Sequence, residues 1–227
     1  SHVGRRPGDE VPFLDALDRA RERGAKSITL LGDIFHFFIA DPKFETPAIA
    51  RFLERARALK QRGIAVTYVE GNRDFFLRGS YAESAFRSVC DEEKFEEGGR
   101  RFLATHGDLL NEKDRPYRFW RFLSKNRVSR AAIAFLPGKA ANRLVWKAEA
   151  RLYRSNFKHK TRLPVEMIEA FAAERFREGV DVLLLGHFHK PWKQNVAGGV
   201  VEILPAFVET RQWLEIGDDG ATSLASL

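Results

Sequence analysis

Residues 180–189 read Val-Asp-Val-Leu-Leu-Leu-Gly-His-Phe-His. The apolar run at 180–185 reads as a buried strand. It stops at Gly186 and delivers two histidines, His187 and His189, one residue apart. The same plan recurs three times upstream. SITLL at 27–31 runs into Gly32-Asp33, IAVTYV at 64–69 runs into Gly71-Asn72, and the strand at 101–105 runs into His106-Gly107. Helical patterns lie between. At 11–23, Leu14, Leu17 and Ala20 share a face and Gly24 is the stop; at 46–62, Ile49, Phe52, Leu53, Ala56 and Leu59 take core spacing and Gly63 is the stop. Strands alternating with helices predict an α/β fold. The tail at 192–216 predicts consecutive strands with a turn at Gly198-Gly199.

Ligand sites in open α/β sheets form at the carboxyl ends of strands. Asp33, Asn72, His106, His187 and His189, with His2 at the start of the chain, are therefore candidate metal ligands. Singly, each has a plainer reading as a turn residue or an ordinary core histidine. Together they weigh more: of six histidines, only His36 and His159 fall elsewhere. Imidazole, carboxylate and amide donors without a thiolate suit Mn, Fe, Zn or Co. A carboxylate such as Asp33 can bridge two ions, and two ions about 4 Å apart clamp a phosphoryl group. The chemistry expected is metal-assisted hydrolysis of a phosphoester or phosphoanhydride.

Composition sets the limits. The chain has 227 residues, 44% hydrophobic and 30% charged, enough for a buried core. The longest strictly apolar run, 131–136, is six residues, far below the roughly 20 that span a bilayer. The single cysteine, Cys90, excludes an internal disulfide and a Cys-rich zinc site and fits a reducing compartment. No signal peptide is evident. The net charge of +7 is concentrated: residues 112–162 hold 15 Lys/Arg against 3 Asp/Glu, and the rest of the chain is acidic. A basic block of this kind suits an anionic partner. It shows no strand pattern. Residues 118–125 predict a short helix and 139–157 a long amphipathic one, with Arg143, Lys147, Arg151 and Arg154 as a basic stripe. We read residues 112–163 as a helical lid inserted into a core of residues 1–111 and 164–227.

The ordered set Gly32-Asp33, Gly71-Asn72-Arg73-Asp74, His106-Gly107-Asp108 and Gly186-His187-Phe188-His189 resembles the calcineurin-like metallophosphoesterases. That resemblance spans nearly the whole chain. It implies a sandwich of two mixed β-sheets flanked by helices, with a dinuclear metal centre. The family's first motif is Asp-x-His, whose tail Ser1-His2-Val3-Gly4 matches; the aspartate and the first strand are expected ahead of residue 1. By the resemblance, Asp33 bridges two ions. His2, His189 and that aspartate would hold one, and Asn72, His106 and His187 the other.

Most members carry Gly-Asn-His where this chain has Gly71-Asn72-Arg73, and that histidine is thought to help protonate the leaving group. Arginine cannot give up a proton near neutral pH but holds phosphate bidentately. A pyrophosphate, whose leaving group needs no proton, is therefore expected over an alkyl phosphodiester. The plainer reading is that Arg73 pairs with Asp74 and props the loop. Gly71-Asn72-Arg73-Asp74-Phe75, His106-Gly107-Asp108 and Asp114-Arg115-Pro116-Tyr117 resemble one branch in particular, the UDP-2,3-diacylglucosamine hydrolases of lipid A synthesis, which also carry a helical lid. This implies cleavage to UMP and 2,3-diacylglucosamine 1-phosphate with two divalent ions, usually Mn2+. Asn72 and Arg73 would act on the pyrophosphate and stabilise its developing charge. Asp114, Tyr117 and His187, with Asn156, Lys158 and Lys160 in the last lid helix, would contact substrate. The stretch Asp33-Ile34-Phe35-His36-Phe37-Phe38 departs from that branch, whose usual acidic and Trp positions are His36 and Phe38 here.

The lid holds eight aromatics between Tyr117 and Phe157, which suit an acyl chain, while its charge suits phosphates or an anionic inner-membrane surface. The protein is expected to be cytoplasmic and peripheral on that membrane, with no protein partner. Two other readings stand. A nuclease or phosphodiesterase would use the basic, aromatic segment for nucleic acid, which Arg73 argues against. A catalytically dead binding module would bind no metal.

Overall fold

The computed structural model describes residues 3–4, 8–138 and 163–227. In chain order it contains α1 (Val11–Glu22), β1 (Ser27–Leu30), β2 (Phe38–Ile39), α2 (Pro47–Gln61), β3 (Ala65–Val69), β4 (Asp74–Phe75), β5 (Ser88–Cys90), β6 (Glu92–Glu97) and β7 (Arg100–Thr105). Then follow α3 (Arg115–Lys125), α4 (Arg127–Phe135), α5 (Val165–Arg177), β8 (Val182–Leu185), β9 (Trp192–Val196), β10 (Gly199–Ile203), α6 (Phe207–Thr210), β11 (Gln212–Ile216) and β12 (Thr222–Ser226).

The strands form two principal sheets. One is parallel, in the order β1-β3-β5; the other is mixed, in the order β6-β7-β8-β10-β9, with β7, β8 and β10 parallel to one another. Two smaller pairs, β2-β4 and β11-β12, complete the described strands. Period-two alternation explains how the sheets stack. On β1 and β3, Leu30, Val66 and Tyr68 join the core that holds Phe13, Leu14, Phe52 and Leu53 of α1 and α2. The intervening Thr29 and Thr67 face the other way and donate to the two carboxylate oxygens of Glu93 on β6, at 2.6 and 2.8 Å. The mixed sheet is covered on both faces. Leu103, Leu183 and Leu185 pack with Ile168 and Ala172 of α5, while Phe102, Ala104, Val182 and Leu184 pack on the opposite side. This explains the unbroken apolar run of β8. The result is an α/β sandwich of two sheets flanked by helices.

Local signals place the helices. Thr46 caps α2, its hydroxyl accepting from the Ile49 amide, and Pro47 takes the first helical position, where a missing N–H costs nothing. Fully burying a Phe52 or Leu53 side chain from this helix contributes about 1.5–3 kcal/mol. In the basic segment, Asp114 caps α3 and Asn126 caps α4. The helix expected at 139–157 lies outside the described residues. The tail departs from a run of strands: one helical turn, α6, separates β10 from the β11-β12 hairpin. No helix among the described residues is long and apolar enough to cross a membrane.

Candidate metal centre

Four loops carry the candidate ligands, and all leave the carboxyl ends of parallel strands. Asp33 follows β1, Asn72 follows β3, His106 follows β7, and His187 and His189 follow β8. The first two come from one sheet and the last three from the other. What lets the loops meet is glycine. Gly32 takes φ +66°, and a Cβ there would collide with the Gly71 backbone; a Cβ on Gly71 would strike the Asp33 carboxylate and lie 2.9 Å from His106 Cε1. Backbone against backbone, the two glycines bring Asp33, Asn72 and His106 together.

The geometry centres on His106, which is 2% exposed. Its Nδ1 donates to the Leu31 carbonyl at 2.7 Å, which turns Nε2 toward the cluster. From Nε2 it is 3.2 Å to Asn72 Oδ1, 3.3 Å to His187 Nδ1 and 3.6 Å to Asp33 Oδ2. One donor atom from each of Asp33, His106 and His187 lies within 4.8 Å of the others. Asp33, His187 and His189 all hold positive φ, between 51° and 58°. Non-glycine residues adopt that region at a cost of order 1–3 kcal/mol each and keep it where the surroundings over-determine them, as at binding sites.

Charge supports the same reading. Burial works against a proton on His106, but the Asp33 and Asp108 carboxylates and the Leu31 carbonyl together raise the ring's pKa. Burial pulls the His189 pKa down to about 3, so that ring is neutral. A carboxylate, imidazole nitrogens and an amide oxygen make a donor set that fits a divalent ion.

Arg73 departs from its plainer sequence reading. It does not pair with Asp74. Its amide donates to Asp33 Oδ1 at 2.8 Å, its Nε lies 3.7 Å from Asp33 Oδ2, and its Nη1 donates to the His36 carbonyl at 3.2 Å. The guanidinium also sits over the Phe37 ring, 5.7 Å from the centroid. Asp74 has a different task. Fully buried, it accepts from the amides of Asp33 and Gly71 at 2.9 and 2.7 Å and from the Tyr68 hydroxyl at 2.9 Å. It thereby sutures the two glycine loops, a role that the Gly-Asn-Arg-Asp spacing alone did not disclose.

Of the expected substrate contacts, Asp114 is occupied in capping, accepting from the Tyr117 amide at 3.0 Å. The Tyr117 hydroxyl donates to Asp108 at 2.6 Å. Asp108, of the His-Gly-Asp motif, also accepts from Arg121 Nε at 2.8 Å. Burial alone would raise its pKa, yet His106 and Arg121 hold it below the usual carboxylate range. His2, Asn156, Lys158 and Lys160 lie outside the described residues. Next to His2, Val3 is bonded to the loop after β1: its amide donates to Ile34 and its carbonyl accepts from His36, at 2.8 and 3.0 Å. A cleft of about 690 Å³ lies at the opposite, amino-terminal ends of β7, β8 and β10, between Arg100, Asp181 and Gly199. It has no part in this cluster.

No family model matches the chain. The UDP-2,3-diacylglucosamine hydrolase of Pseudomonas putida strain F1 is 33% identical over 196 residues, covering 82% of this chain and 77% of that protein. The protein of the same name from Xanthomonas oryzae pv. oryzae is 32% identical over 209 residues, covering 86% and 81%. Among solved structures, the hypothetical protein PH1004 from Pyrococcus horikoshii aligns with a TM-score of 0.51 at 11% identity, over 96% of this chain and 82% of that one. This last likeness concerns the fold alone.

Proposed function

The chain belongs to the UDP-2,3-diacylglucosamine hydrolase family, and on that premise we propose that it cleaves the pyrophosphate bond of UDP-2,3-diacylglucosamine. The products are UMP and 2,3-diacylglucosamine 1-phosphate. Water adds to one phosphorus, and the bridging oxygen leaves with the other. Asp33, Asn72, His106, His187 and His189, together with His2, are the proposed ligands of divalent ions, with manganese the proposed metal. When bound, such ions draw charge from phosphoryl oxygens as Lewis acids.

The observation that carries this reading is the setting of Arg73. Its guanidinium lies beside Asp33 and is 9% exposed as a residue. It is a fixed cation with no proton to give. It stabilises charge developing on a phosphate leaving group, and such a group departs unprotonated. An alkoxide leaving group would need an acid in the same place. The test compares Arg73→His with the parent enzyme on UDP-2,3-diacylglucosamine and on an aryl phosphodiester. The ratio of the two activities should move toward the diester. If Arg73→Ala turns over the nucleotide substrate at the parent rate, the reading is wrong.

The substrate's acyl chains and the anionic inner-membrane surface are the proposed partners of the inserted helices, where Asp114 and Tyr117, with Asn156, Lys158 and Lys160, are the proposed substrate contacts. Support comes from α3 and α4, on which Phe119, Phe122, Val128 and Phe135 are 66–90% exposed beside the exposed Arg115 and Arg118. Large apolar side chains flanked by basic ones suit the interface of an anionic membrane.

A further inference from the structure

Helix α3 buries no apolar side chain, yet it is tied closely to the core. The ties come from Tyr117, Arg121 and Lys125, which are spaced four apart and so share one face. Arg121 touches both sides of the candidate centre. Its Nε donates to the Asp108 carboxylate at 2.8 Å, and its Nη2 donates to the Glu70 carbonyl at 3.3 Å. One turn on, the Lys125 ammonium donates to the Gly71 carbonyl at 2.6 Å and sits 5.7 Å from the Phe75 ring centroid.

These anchor points are placed to matter. Glu70 and Gly71 lead directly into Asn72 and Arg73, on the loop from the parallel sheet. Asp108 lies two residues beyond His106, on the loop from the mixed sheet. The 3.2 Å approach of Asn72 Oδ1 to His106 Nε2 therefore joins loops carried by different sheets. Asp74 sutures Asp33 to Gly71 within the parallel-sheet side, but it does not reach the His106 loop. Arg121 does, from outside the core.

We propose that Arg121 and Lys125 are positioning residues of the metal centre: from the inserted helix they clamp the Glu70-Gly71 backbone to Asp108 and so set the separation of Asn72 from His106. The proposal rests on the metal-centre reading above. It gives the basic segment a second task, in which the seating of the insertion governs the centre. If the same contacts served only to hold α3 on the core, their loss would leave metal binding as it was.

The test uses Mn2+ alone, so it does not depend on the substrate. The parent chain, Arg121→Met, Lys125→Met and Arg127→Met are titrated with Mn2+, and the free ion is read by electron paramagnetic resonance. Arg127 is exposed on α4, so its substitution removes the same charge without touching the clamp. Loss of a group that orients metal ligands typically weakens binding by about 10- to 100-fold. Both clamp variants should lose at least about tenfold in Mn2+ affinity, with Arg127→Met close to the parent. Arg121→Lys, able to reach one anchor but not both, should fall between. Parent-like affinity in the clamp variants, or an equal loss in Arg127→Met, overturns the proposal. A parent chain that binds no Mn2+ overturns the metal centre itself, and the clamp with it. Thermal unfolding of each variant identifies any that fails to fold, and in that event Arg121→Lys and Lys125→Arg carry the comparison.

Discussion

Replacing Tyr68 with phenylalanine isolates one atom of the site's scaffold. Tyr68 is fully buried on β3, its ring packed against those of Phe38, Phe52 and Phe86 at centroid distances of 6.0, 6.4 and 5.2 Å. Phenylalanine keeps all of that packing and leaves no cavity. It removes only the hydroxyl that donates to Asp74 Oδ1 at 2.9 Å. Asp74 is itself 0% exposed, so no water replaces the lost donor at the surface of the fold. Removing one partner of a buried hydrogen bond leaves the other unsatisfied at a cost of about 1–3 kcal/mol. For a chain of this size each kcal/mol moves the midpoint by about 2–4 °C, so a loss of about 2 kcal/mol lowers Tm by about 4–8 °C. Urea unfolding should show a lower midpoint with an unchanged m-value, because the surface exposed on unfolding is the same. Mn2+ affinity should stay close to the parent's, since Asp74 Oδ2 still holds the amides of Asp33 and Gly71. A stability change below about 0.5 kcal/mol, within the range of ordinary surface substitutions, would refute the assignment of Asp74 as a hydrogen-bonded suture between the loops.

Gly71→Ala should abolish Mn2+ binding, because the new methyl group strikes the Asp33 carboxylate and crowds His106. Gly24→Ala, at φ +86° but in open space, should cost only about 1–2 kcal/mol and leave Mn2+ binding intact; equal effects at both positions would refute the packing argument. Asp91 gives a pH test. Burial would raise its pKa, but Arg78 at 2.6 Å and Arg121 at 3.6 Å hold it below the usual carboxylate value. A depressed folded pKa contributes stability above the unfolded value near 4, and that stability is lost as pH falls through the folded pKa. Asp91→Asn should therefore be destabilised at pH 7 and converge on the parent as pH falls below about 4; a gap that stays constant in urea melts at pH 7 and pH 3 would contradict this. Burial pushes the Cys90 thiol up to about 11. At pH 8 iodoacetamide should alkylate the native chain about 100-fold more slowly than the unfolded chain, and comparable rates would sink the claim.

The parts of this fold that announce themselves are those whose apolar pattern stops at a polar residue. Residues 27–33, 64–72, 101–107 and 180–189 each show a buried strand ending in a candidate ligand, and the helices at 11–22 and 47–61 carry their stop glycines in plain view. Strand β6 is hidden because Glu-Glu-Lys-Phe-Glu-Glu is an edge strand written largely in charge. Its Glu93 points inward, answered by Thr29 and Thr67 from another sheet, a partnership no local pattern encodes. At the site, residue type and position at strand ends picked out Asp33, Asn72, His106 and His187, whose donor atoms lie close together. They did not reveal what holds those donors in place. Asp74, Asp108, Arg121 and Lys125 read as ordinary charges until tertiary contacts pair them. The same is true of the basic block. Its excess charge suits an anionic partner, yet Arg121 and Lys125 point inward, and Arg130 donates to the Arg78 and Gly79 carbonyls.

The most direct measurement is the product of the reaction. The protein loaded with Mn2+ is incubated with UDP-2,3-diacylglucosamine and the mixture analysed by mass spectrometry. UMP and 2,3-diacylglucosamine 1-phosphate are expected in equal amounts, with neither formed by the His187→Ala protein. Intact substrate after incubation with protein shown to hold its metal, or release of UDP in place of UMP, would contradict it.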